Sequence, residues 1–115
     1  MMARRKRYIK GRVYITDDSL FSRDGYSKRG RRVVAVNNDR NNMHVVKVKK
    51  LVDDKGKPRK KLIPIEKYES VRKPSGIYPY VYRKTAQGNP IEEKRMRKTK
   101  TRLNRWDMKK ISHLK

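Results

Sequence analysis

Apolar residues in this chain come in short, β-branched runs separated by clusters of Asn, Asp, Gly and Pro, a spacing that predicts short strands joined by tight turns. Arg12-Val13-Tyr14-Ile15-Thr16 reads as the first strand. The polar stretch 17–30, broken by Asp24-Gly25 and Gly30, is too long for a hairpin connection and is expected to lie across a face. Arg32-Val33-Val34-Ala35-Val36-Asn37 is a continuous apolar run suited to a central, buried strand. The Asn-rich segment 37–42 predicts a turn, because Asn and Asp tolerate left-handed backbone. From His44 to Leu51, Val46 and Val48 alternate with Lys47 and Lys49, which gives a strand with one basic face. Asp53 to Pro58 predicts another hairpin turn, and Lys61 to Glu66 a short strand whose Pro64 points to an edge or a bulge. Ile77-Tyr78-Pro79-Tyr80-Val81-Tyr82 alternates strictly, with Pro79 again suggesting an edge. These elements predict a mainly β fold of about five short strands, a small barrel or a curled sheet.

The period then changes. At 100° per residue, Met96, Leu103, Trp106, Ile111 and Leu114 fall within about 140° of arc, and most basic residues lie outside it. That pattern predicts an amphipathic helix over 91–112, opened by Asn89-Pro90 with Glu92 and Glu93 in its first turn. Its apolar face, Met96, Leu103, Trp106 and Ile111, has two uses: packing on its own sheet, or docking on another protein. The expected organisation is a basic N-terminal arm over 1–11, a barrel domain over 12–90, and a basic helical tail over 91–115.

Charge changes this picture most. Thirty-five Lys and Arg against eleven Asp and Glu leave a net charge of +24 on 115 residues. Self-repulsion on that scale opposes compaction, and a polyanion nearby offsets it. Nucleic acid is the natural partner, free or within a ribonucleoprotein, because phosphates neutralised by Lys and Arg release condensed counterions. Both ends are basic: six positive charges and no negative one over 1–12, ten against three over 91–115. With no cysteine and two histidines, His44 and His113, neither a metal site nor a cofactor is expected. No apolar stretch approaches a membrane span, and the basic start at Met1 is not followed by the apolar segment of a secretory signal. A cytosolic location without membrane contact is therefore expected.

Candidate contacts follow from the same chemistry. Arg4, Arg5, Lys6 and Arg7 form one basic cluster, and Arg59, Lys60 and Lys61, beside Lys57, form a second. Arg95, Arg97 and Lys98 form a third, and Arg31, Arg32, Lys47 and Lys49 put charge on strands. Such groups hold phosphates and carry no base preference. Period two places Tyr78, Tyr80 and Tyr82 on one face, where rings flanked by cations could stack single-stranded bases. The alternative is that these rings cover the C-terminal helix. His44 stands alone beside the Asn-rich turn, and no Ser–His–Asp or paired-carboxylate arrangement is legible.

Arg32-Val33-Val34-Ala35-Val36-Asn37-Asn38-Asp39 resembles the second-strand signature of the PemK/MazF-like family, roughly Arg-Pro-Val-Val-Val-Ile-x-Asn-Asp. Lys73-Pro74-Ser75-Gly76-Ile77 resembles that family's later Lys-x-Ser-Val segment, and the order of elements over about residues 12–105 is similar. The resemblance implies a compact SH3-like barrel, often a homodimer, in a family of toxins that cleave single-stranded RNA and come from toxin–antitoxin modules on mobile elements. It implies that Arg32, or Arg31, stabilises the phosphorane and that Ser75 takes the serine position. Three features depart from the pattern. Val33 replaces the proline, no threonine follows Val46-Lys47-Val48, and the chain is far more basic than a typical toxin. These departures favour binding of RNA, or of DNA, over cleavage. An inhibitor or assembly factor acting on a ribonucleoprotein is a further expectation.

Overall fold

The computed structural model describes residues 8–17, 20–21, 30–53, 55–69 and 71–114. Six strands form one antiparallel sheet: β1 Arg12–Thr16, β2 Arg31–Ala35, β3 Val45–Lys50, β4 Ile63–Ile65, β5 Ser75–Tyr82 and β6 Arg97–Arg102. Their order across the sheet is β4-β5-β3-β2-β1-β6, and one helix, α1 Arg105–Ile111, follows. The fold is mainly β with a C-terminal helix, as the residue pattern predicts. The sheet does not close into a barrel, and β4 and β6 are its two edges.

Both faces are covered, because the central strands are apolar on each side. Val13, Val34, Val46, Val48, Ile77 and Val81 point into one core, which Leu103 and Ile111 complete. Tyr14, Val33, Ala35 and Val45 point the other way, against Ile9, Phe21, Met43, Ile91 and Met96. The continuous apolar run of β2 is what a strand buried on both faces requires.

The long helix expected over 91–112 is not present. Glu93–Arg95 makes a single 3-10 turn, 97–102 is strand β6, and the helix covers seven residues only. The competing signal is period two in Lys98-Thr99-Lys100-Thr101-Arg102. Thr99 donates from Oγ1 to the Val13 carbonyl at 2.6 Å and Thr101 is buried, while Lys98, Lys100 and Arg102 face solvent. β-branched threonines fit such a half-buried strand, and the backbone of β1 needs a partner on that side. The supposed helical stripe is therefore split. Met96 joins the second core, Leu103 and Ile111 the first, and Trp106 is left 63% exposed.

Helix α1 follows β6 directly and packs beside β4 and the segment after it, with Lys110 Nζ donating to the Pro64 carbonyl at 3.1 Å. Asn104 caps it, accepting the Asp107 amide on Oδ1 at 2.8 Å. The Asp107 carboxylate is wholly buried, and its Oδ2 accepts from the Glu66 amide at 2.9 Å and the Tyr68 hydroxyl at 2.5 Å. The Tyr68 oxygen accepts in turn from the Asn104 amide at 3.0 Å. On the second core, the Tyr14 hydroxyl donates to Glu93 Oε2 at 2.5 Å, and Arg40 pairs with that oxygen at 2.6 Å. Burial first, and then this carboxylate, push the Tyr14 phenol well above its ordinary range.

Both prolines read as edge signals have structural reasons. Pro64 lies in β4, an edge strand, opposite Gly76. A Cβ on Gly76 would come within 2.9 Å of Leu62 Cβ and 3.0 Å of the Ile63 carbonyl, so glycine permits the close approach of β4. Pro79 sits inside β5, where the ladder with β3 passes from Val48↔Ile77 to Val46↔Val81. One β3 residue thus faces three on β5, and the resulting bulge carries Tyr78, Pro79 and Tyr80 into solvent. Strict alternation fails there, since Pro79 is exposed with its neighbours rather than buried with Ile77 and Val81.

Candidate nucleic-acid interface

Antiparallel order brings the end of β1, the start of β2, the end of β3 and the starts of β5 and β6 to one pole of the sheet. The sequence places basic residues at all of these points except the end of β1. A cleft of about 800 Å³ opens there. Arg31 and Arg32 line it from β2, Lys49 and Lys50 from β3, and Arg72 and Lys73 from the approach to β5. Arg97, Lys98 and Lys100 line it from β6. Against these nine cations the lining contains a single acid among the described residues, Glu69, so the pole carries a concentrated positive field. Val48, Val71 and Ile15 form part of its wall. Gly30, at φ +74°, turns the chain into β2, and Arg32 donates to its carbonyl at 2.8 Å. Arg31 reaches the Val48 carbonyl at 3.4 Å. Lys50, Lys73, Arg97, Lys98 and Lys100 make no ion pair with the described acids.

Ser75 also lines the cleft, so it and Arg32 share one site. The serine is buried and its hydroxyl donates to the Lys73 carbonyl at 2.8 Å, which ties the turn that leads into β5. His44 is half-buried at the start of β3, the opposite pole, and does not line the cleft.

The outer face beside the cleft is aromatic. Tyr78 and Tyr80 are 36% and 56% exposed. Tyr80 meets Tyr82 edge-on with ring centroids 4.7 Å apart, and Tyr82 packs on Phe21 at 5.1 Å. Lys47 places its ammonium 4.8 Å from the Tyr82 centroid, and Lys49 lies 4.5 Å from that of Tyr78. Lys49 thus belongs to both surfaces. Helix α1 contributes Ile111 to the core on the other side of β5, so the tyrosines do not cover it. Tyr80 alone of the three combines high exposure with a rigid ring support. Stacking of an unpaired base on this ring would make Tyr80→Ala weaken binding of single-stranded RNA by about 1–3 kcal/mol and leave duplex binding nearly unchanged. Fluorescence titration of both forms with the variant measures the difference.

Of the sequence-derived contacts, the structure gathers Arg31, Arg32, Lys49, Arg97 and Lys98 at the cleft, and Lys47, Tyr78, Tyr80 and Tyr82 on the adjoining face. Arg95 lines a smaller cavity of about 510 Å³ that shares Ile15 and Gly30 with the cleft. Arg59, Lys60 and Lys61 do not line the cleft and are exposed on the hairpin that follows β3. Arg4, Arg5, Lys6 and Arg7 fall outside the described residues. Lys50, Arg72, Lys73 and Lys100 were missed. Lys73 stands in the motif beside Ser75, and Lys100 was hidden by assigning its segment to a helix. No family model, curated protein or solved structure matches this chain. Among the described residues, no helix is long and apolar enough to cross a membrane.

Proposed function

We propose that this protein binds nucleic acid, RNA in preference to DNA, with phosphates in the cationic cleft and an unpaired base on the Tyr78/Tyr80 bulge. The observation that carries this reading is the concentration of nine cations against one acid in a single cleft. Free phosphate neutralises one or two such groups. A chain of phosphodiesters neutralises many at once, and each counterion it releases adds to association. The adjoining aromatics favour a single strand, whose bases have exposed π-faces.

Changing Lys50, Lys73, Lys98 and Lys100 together to Gln tests the reading, because all four lie in the cleft and outside the core. At low salt the quadruple variant should bind a single-stranded RNA about 10–100-fold more weakly than wild type. Equal affinity would sink the proposal.

A second reading, RNA cleavage of the PemK/MazF-like kind, is supported by Arg32 and Ser75 lining the same cleft. The RNA 2′-hydroxyl would attack its own phosphate, giving a 2′,3′-cyclic phosphate as the P–O5′ bond breaks. The hydroxyl proton would pass to water, the departing 5′-oxygen would take one from water, and Arg32 would offset the developing charge. The same RNA examined on a denaturing gel separates the readings. Fragments produced by wild type and absent with Arg32→Ala support cleavage, and intact RNA under both supports binding alone.

A further inference from the structure

The hairpin joining β3 to β4 carries five exposed cations, Lys55, Lys57, Arg59, Lys60 and Lys61. None of their side chains makes an ion pair or hydrogen bond within the described residues. Two acids stand among them in the sequence: Asp54 lies outside the described residues, and Asp53 is directed toward the loop backbone. Its Oδ1 accepts the amides of Lys55 and Lys57, both at 2.9 Å, which ties the loop, and the segment 52–61 keeps a net charge of +3, five cations against Asp53 and Asp54. The base of the hairpin is tied to the cleft. Leu51 donates to the Pro74 carbonyl at 3.0 Å, Arg59 donates to Leu51 at 2.7 Å, and the neighbours Lys50 and Lys73 line the cleft.

Lys61 adds an independent observation. It is the one non-glycine residue among those described with positive φ, +70°, a conformation that glycine or asparagine adopts more readily. Backbone held against its preference points to a role for the side chain that stays there.

We propose that the 52–61 hairpin is a second phosphate-binding surface, contiguous with the cleft, that lengthens the footprint on nucleic acid, and that Lys61 is kept in left-handed backbone for its charge. This rests on the cleft binding nucleic acid. A strand short enough to sit in the cleft does not reach the hairpin, and a longer strand gains contacts on it.

The test uses labelled RNA of about 6 and about 20 nucleotides, lengths chosen to fill the cleft alone and to exceed it. Wild type is compared with a variant in which the five hairpin cations are Gln, and with Lys61→Gly. The five-fold variant should bind the short RNA within about threefold of wild type and the long RNA roughly 30- to 100-fold more weakly, with a shallower salt slope. Lys61→Gly should raise the thermal midpoint and still weaken the long RNA several-fold, a pairing that loss of folding cannot produce. If wild type binds both RNAs and the five-fold variant matches it on the long one, the hairpin surface is overturned and the cleft reading stands. Equal loss on both lengths also overturns the hairpin as an extension. Absence of RNA binding by wild type overturns the cleft reading itself and removes the basis for the hairpin.

Discussion

Asp107→Ala should destabilise the protein by about 3–5 kcal/mol, a large part of the roughly 5–15 kcal/mol available to a domain of this size. The carboxylate is wholly buried and is the shared acceptor for the Glu66 amide and the Tyr68 hydroxyl, with the Lys110 ammonium 3.2 Å from its other oxygen. Removing it takes the acceptor from two part-buried donors and leaves Lys110 with the Pro64 carbonyl at 3.1 Å, and a donor left without its acceptor costs more than a typical bond contributes. It also releases helix α1 from the segment beyond β4, where the sheet has no closing strand. Thermal denaturation should show a midpoint lower by roughly 10–20 °C. A shift under about 3 °C would show that the helix is not held in this way.

The pH dependence of the same contact has a defined sign. Burial alone would raise the Asp107 pKa, but the Tyr68 hydroxyl, the Glu66 amide and Lys110 outweigh it and hold the group below its usual value. A depressed folded pKa means stability that is complete above the unfolded value, about 3.9, and is lost as pH falls through the folded one. Asp107→Asn should therefore be less stable than wild type by a constant margin from about pH 5 to 8, and the margin should close in acid. At the alkaline end, burial and the Asp107 hydrogen bond push the Tyr68 phenol up to about 12. That contribution is present below pH 10 and declines as pH rises toward 12. Urea unfolding across pH checks both limits.

Raising monovalent salt from about 50 to 200 mM should weaken single-stranded RNA binding roughly 300-fold. Nine cations line the cleft, and engagement of about six gives a log–log slope near −4 at ~0.7 per phosphate, hence about two and a half powers of ten over a fourfold change in salt. A protein that held its partner through the aromatic bulge alone would show a slope near zero. Anisotropy titrations at four salt concentrations measure the slope directly, and a value shallower than about −1 would rule out the cleft as the main contact.

Much of this arrangement is legible in the residues. β1 is found where Val13, Tyr14 and Ile15 place it, and the turns at 37–42 and 53–58 follow from Asn and Asp bonding to nearby backbone. His44 donates its amide to Asn37 Oδ1 at 2.8 Å, a contact within the reach of seven residues. The C-terminal segment was misread because Met96, Leu103, Trp106 and Ile111 satisfy a helical period by coincidence. Thr99 and Thr101 carry the correct signal in a stretch too short to outweigh it. The bulge at Tyr78–Tyr80 was equally hidden, since alternation in β5 says nothing about how many residues β3 sets against it.

Composition and periodicity determined that the chain is a small, mainly β protein with a heavy positive charge, because both are sums over local residue properties. The tertiary structure decided which charges act together. Arg31, Lys50, Lys73 and Lys98 are scattered over nearly seventy positions, and only the antiparallel order of β1, β2, β3, β5 and β6 brings them to one pole. It also decided that Asp107 is a lock rather than a surface acid, since its partners at Glu66 and Tyr68 lie about forty positions away. Strand pairing is a long-range choice among many registers, and no local pattern in the chain encodes it.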